Sequence, residues 1–181
     1  MKKFCIIFLL SIIISLTGFG LVGEGVENGI SGNHGRDYLR IHIRANSNES
    51  KDQAVKYLVK DGIVDFLTPV ISAADTFEKA ERTVKEVLGG IEGVAERVLK
   101  EKGFSYGANA EVRTETFPTR SYGEYVLEKG EYLALIVELG EGKGNNWWCV
   151  LYPPLCFVGE SSSKPVYKSK LLEIIERWKN A

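Results

Sequence analysis

Few side chains in this chain have chemical reach. Its 181 residues hold three cysteines and two histidines. A thiol–imidazole pair for nucleophilic catalysis could be drawn from Cys149 or Cys156 with His42. The apolar neighbours of both cysteines would raise a thiol pKa rather than lower it, which counts against that use. A metal site wants three or four convergent His, Cys or carboxylate ligands, and no spacing here supplies them. Glycoside hydrolysis needs two opposed carboxylates, but with 24 acidic residues any pair can be nominated. The loop at 140–144 (GEGKG) invites a phosphate reading, yet it fails both nucleotide signatures. Gly144 follows Lys143 where a P-loop needs Ser or Thr, and the glycines fall at alternate positions. The remaining reading is a loop that needs positive φ or close backbone approach. No catalytic residue, cofactor or metal is expected.

Cys149 and Cys156 pose a geometric question. Seven residues apart, they would lie about 10 Å apart on a helix and over about 20 Å apart on one strand. Both exceed the ~7 Å Cα limit for a bridge. A disulfide therefore requires a chain reversal, and Pro153-Pro154 stands where one is needed. The alternatives are that disulfide, which export favours, and two reduced core thiols. Trp147-Trp148 has two readings as well. In an extended segment one indole points inward and the other outward as an interface anchor beside Lys143, Asn145 and Asn146; otherwise both rings are covered by neighbouring elements.

The elements that must position these residues follow from periodicity. Residues 38–44 alternate, with Leu39, Ile41 and Ile43 on one face and His42 on the polar side of a half-buried strand. Ser50 and Gln53 fit a capping box for a helix that stops before Pro69. A second helix starts at Asp75 as N-cap and ends at Gly89-Gly90, and a third runs over 91–102. Beyond Gly103 the period changes to two, giving strands near 110–116, 125–127, 132–139 and 147–152. A last helix begins near Pro165, with Tyr167, Leu171, Ile174, Ile175 and Trp178 as its apolar stripe. The expected fold is α+β, a largely antiparallel sheet packed against helices.

The N-terminus sets the compartment. Lys2 and Lys3 precede residues 4–22, a run without any charge. This reads as a signal peptide or signal anchor (1–22), giving export and contact with a membrane. Residues 23–36 carry five glycines and read as a flexible tether. The folded domain is placed at 37–160, with a linker and C-terminal amphipathic helix at 161–181. With 23 basic against 24 acidic residues there is no basic surplus, and no nucleic-acid partner is expected.

Three stretches together resemble a known family. They are residues 38–47 (YLRIHIRANS) with Asp52-Gln53-Ala54, then Phe117-Pro118-Thr119-Arg120 with Tyr122-Gly123, and above all residues 140–157 (GEGKGNNWWCVLYPPLCF). They resemble the stage II sporulation protein R family of endospore-forming bacteria over about residues 38–158. Arg44 and Asn48 depart from the aliphatic and acidic residues usual there. The resemblance implies a signal rather than an enzyme, exported from the forespore into the space between the two septal membranes. There it would trigger a membrane-embedded aspartic-type protease of the mother cell that processes pro-sigma-E. Candidate partner-binding residues are Lys143, Asn145, Asn146, Trp147, Trp148, Tyr152, Phe117, Arg120 and Tyr122. The competing reading is a secreted cell-envelope hydrolase using Cys149 or a carboxylate pair.

Overall fold

The computed structural model describes residues 38–123, 125–157 and 165–180. The expected export segment and tether lie outside the described residues, as do the side chain of Tyr167 and most of the linker after the domain. In chain order come β1 (Leu39–Arg44), α1 (Ser50–Ser72), α2 (Phe77–Glu86), α3 (Leu88–Glu101), β2 (Ala108–Phe117), β3 (Arg120–Tyr122), β4 (Tyr125–Leu127), β5 (Gly130–Leu139), β6 (Asn146–Tyr152) and α4 (Pro165–Lys179). The main sheet has the order β2-β5-β1-β6, while β3 and β4 pair only with each other.

The α+β class is observed, but the sheet is mixed rather than simply antiparallel. β1 runs parallel to β5 and antiparallel to β6, and β2 is antiparallel to β5. The helices and β2 intervene between β1 and β5, so the chain can return in the same direction, as a parallel pair requires. Leu39, Ile41 and Ile43 face the helices and pack with Val59, Ile63 and Leu67 of α1. Fully burying each such side chain contributes about 1.5–3 kcal/mol.

Local signals were overridden in four places. α1 continues through Pro69 to Ser72, because Leu67 and Ile71 on either side of it are fully buried; their packing outweighs the ~3 kcal/mol cost of an interior proline. No capping box forms: Glu49 is the N-cap without a side-chain bond, and the Gln53 side chain donates to the Ser47 carbonyl instead. Thr76, not Asp75, caps α2, accepting from the Lys79 N–H. The break between α2 and α3 falls at Val87, and Gly89-Gly90 sits inside the first turn of α3. A Cβ on Gly90 would lie 2.6 Å from the Phe66 ring, so this glycine allows α3 to approach α1.

β1 is also not half-buried. Its even-numbered side chains lie on the face away from the helices, where Phe117, Tyr132 and Trp148 of neighbouring strands and the β3–β4 hairpin close over them. Arg40 and His42 are therefore as buried as Ile41. α4 contributes Leu171 and Ile174 to the helix-side core and sets Trp178 against Tyr38 and Tyr125 of the other face.

Candidate partner-binding site

Two constellations hold the residues singled out in the sequence. The first joins the β1–α1 loop to the β5–β6 loop. Gly140 and Gly142 have φ of 57° and 61°, which turns the chain tightly. The Gly144 N–H then donates to the Ala45 carbonyl at 2.8 Å, and the Lys143 N–H to the Asn46 carbonyl at 3.2 Å. Asn46 and Asn48 accept from the backbone N–H groups of Glu141 and Asn145 at 3.0 and 2.7 Å. A Cβ at Gly144 would lie 2.2 Å from the Ser47 carbonyl oxygen. The glycines thus serve close backbone approach rather than phosphate binding.

Asp52 anchors the same node from beneath. Its buried carboxylate accepts from Asn46 Nδ2, Ser47 Oγ and the Tyr106 hydroxyl at 2.8, 2.6 and 2.8 Å. Burial alone would raise its pKa, but the bonds from Ser47, Asn46 and Tyr106 outweigh it and hold the carboxyl below its usual range. Burial and the neighbouring Asp52 push the Tyr106 phenol well above its ordinary value. Lys56, buried and lowered by that burial, donates to the Gln53 side chain and the Asn145 carbonyl. No buried side-chain polar atom of this node is without a partner among the described residues, so the node is a lock between two loops.

The second constellation lies on the sheet face away from the helices. The Arg40 guanidinium sits 4.1 Å from the Phe117 ring centroid and 4.8 Å from that of Tyr132, and Nη2 donates to the Tyr122 hydroxyl at 2.6 Å. Burial lowers its pKa against the raising influence of Tyr122. His42 stacks on Trp148 with centroids 3.6 Å apart, and its Nδ1 meets Glu115 at 2.9 Å. Burial pushes the imidazole down to about 4; the Asn146 side chain pulls the other way, Arg44 lowers it further and Glu138 opposes. Glu115 also pairs with Arg44. His42 is therefore neutral at pH 7, with Nδ1–H donating to Glu115. Asn146 makes no hydrogen bond of good geometry to Nε2, which lies buried without a partner.

The nominated partner-binding residues separate by depth. Lys143, Asn145, Asn146 and Arg120 are exposed; Trp147, Trp148 and Tyr122 are half-buried. Phe117 and Tyr152 are interior: Phe117 lines the Arg40 box, and the Tyr152 hydroxyl donates to the Asp75 carbonyl. Trp147 stands opposite Ile43 on the helix side, near Lys60, while Trp148 stands opposite His42 on the other side. The two indoles straddle β6, an edge strand of the sheet. Cys149 and Cys156 form a disulfide pair with Cα atoms 5.9 Å apart, the reversal falling at Pro153-Pro154. Cys149 stands opposite Ile41 on the helix face and His42 points to the other, so the two do not form a catalytic pair. Sequence reasoning placed Arg40 and Asp52 in a family stretch without seeing their roles, and missed Glu115 and Tyr106 altogether. The one available signal was Arg40 and His42 alternating with apolar residues, which a solvated face produces equally well.

These features define an α+β domain whose polar side chains fasten loops and strands together and whose half-exposed aromatic residues flank a sheet edge. The stage II sporulation protein R family model matches residues 35–162. Stage II sporulation protein R of Bacillus subtilis (strain 168) is 34% identical over 128 residues, which is 71% of this chain and 57% of that protein. No solved structure matches. The chain belongs to the stage II sporulation protein R family and spans a little over half the length of that relative; the family is one of signalling proteins rather than enzymes. No helix among the described residues is long and apolar enough to cross a membrane.

Proposed function

We propose that this protein is the exported intercompartmental signal of endospore formation that activates a membrane-embedded aspartic-type protease processing pro-sigma-E in the mother cell. Family membership across residues 35–162 carries this reading. The uncharged run at 4–22 behind Lys2-Lys3 supports export into the space between the two membranes, with the segment cleaved or kept as an anchor. The pairing of Cys149 with Cys156, and its face opposite to that of His42, count against the thiol nucleophile of the hydrolase alternative.

The docking surface in this reading is the start of the β6 edge with its turn: Lys143, Asn145 and Asn146 exposed, Trp147 and Trp148 on either side. Binding would shift the protease toward its active arrangement through higher affinity for that state. The test is co-expression with the protease and pro-sigma-E in a non-sporulating bacterium, with cleavage followed by immunoblot. Cleavage should require this protein and its export, and should fall with Trp147→Ala or Trp148→Ala. No cleavage, with all three proteins present and correctly located, would overturn the role. Full processing by both tryptophan variants would overturn the surface.

A further inference from the structure

A buried guanidinium normally has a carboxylate; Arg40 has none. It is fully buried, and its Nε and Nη1 have no hydrogen-bond partner. Its surroundings are the faces of Phe117, Tyr122 and Tyr132, with one bond to the Tyr122 hydroxyl. Cation–π contact offsets part of the desolvation of the charge, but each orphaned donor still carries a penalty. A second cation, Arg120, lies near enough to act on both Arg40 and Tyr122, and it pairs with no carboxylate among the described residues. Two cations, Arg40 and Arg120, thus stand here against Glu128, which acts on Tyr132, and Arg40 keeps two unused donors, Nε and Nη1.

The cover over this box is slight. β3 and β4 are three residues each, pair only with each other, and no backbone hydrogen bond ties them to the main sheet among the described residues. A lone two-stranded hairpin is marginally stable. Tyr122 is half-buried, Leu127 is the buried anchor, and the Tyr125 hydroxyl is buried without a partner.

We propose that the Arg40 box is a carboxylate-recognition site for an acidic segment of a partner protein, opened when the β3–β4 hairpin lifts. A carboxylate would accept from Nε and Nη of Arg40 in the bidentate arrangement that guanidinium geometry favours. It would displace the Tyr122 hydroxyl while Phe117 and Tyr132 stay against the fork, and Arg120 would meet a second acidic group. Charge complementarity names the occupant, and this rests on the reading above that the chain acts through protein contact.

The test uses the full-length chain, isotope-labelled, in a neutral-detergent micelle. The Arg40 Nε–H resonance is followed by NMR while acetyl-Asp-Glu-Asp-amide is added. A saturable downfield shift is expected, absent with acetyl-Asn-Gln-Asn-amide. Tyr122→Phe removes the competing hydroxyl and should bind between about twofold and tenfold more tightly. No shift in either the wild type or Tyr122→Phe would overturn the site, and so would an equal shift with the neutral peptide. Acetate matching the acidic peptide at equal concentration would overturn the assignment to a protein segment. The titration contains no protease, so its failure is separable from failure of the processing reading.

Discussion

Replacing Gly144 by alanine should destabilise the domain far more than the same change at nearby glycines. The added Cβ would lie 2.2 Å from the Ser47 carbonyl oxygen and 3.0 Å from the Ala45 Cβ, where ordinary contact begins at 3.4 Å. The two loops would have to part by roughly 1 Å, a shift that packed regions resist at about 1–3 kcal/mol. That movement strains the bonds from the Lys143, Gly144 and Asn145 N–H groups to Asn46, Ala45 and Asn48, each worth about 1 kcal/mol net. Reduced freedom of the unfolded chain returns about 0.4–1 kcal/mol. The balance is a loss of about 2–4 kcal/mol. Gly142→Ala, at φ 61° with only ordinary contact to Glu138, should cost about 1–2 kcal/mol. Gly93→Ala, in α3 with nothing within 4 Å, should stabilise by about 0.5–1 kcal/mol. The assay is urea denaturation of the full-length chain in mild detergent, followed by tryptophan fluorescence. The loop lock would be refuted if Gly144→Ala were no more damaging than Gly142→Ala.

Three further outcomes are expected. Cys149→Ser and Cys156→Ser should show matched losses of about 2–3 kcal/mol, the value for closing so short a loop; loss of function from one alone at unchanged stability would point to a thiol nucleophile instead. His42 has a folded-state pKa lowered to about 4 from 6.5, so the unfolded chain binds its proton first and stability falls as pH drops through that window. His42→Gln should flatten the slope, and a His42 imidazole titrating near 6.5 by NMR would contradict the burial argument. Asp52 has a lowered pKa, so its contribution is present above the ordinary carboxyl value and lost as pH falls through the folded one. Asp52→Asn should remove that acid-limb loss in denaturation curves taken below pH ~4.

Which side chains share a face was legible in the sequence, because period two and period 3.6 are properties of the local chain. The stripe Leu39, Ile41 and Ile43, the turn at 140–144 and the reversal between Cys149 and Cys156 could all be read in this way. Whether the other face of β1 met water could not, since that depends on Phe117, Tyr132 and Trp148 arriving from distant strands. The helix ends were misread for the same reason. Pro69 and Gly89-Gly90 are strong local stop signals, yet the packing of Ile71 under α1 and of α3 against Phe66 decided otherwise.

The sequence alone determined the α+β class and the family, through local periodicity and three specific stretches. Only the tertiary structure decided that β1 pairs in parallel with β5, that the first and last of those stretches interlock through Asn46 and Gly144, and that Arg40 is sealed without a counter-ion. Each of these is a contact between residues some 80 to 100 positions apart. Such contacts arise when buried area repays loop closure, and no local pattern encodes that balance.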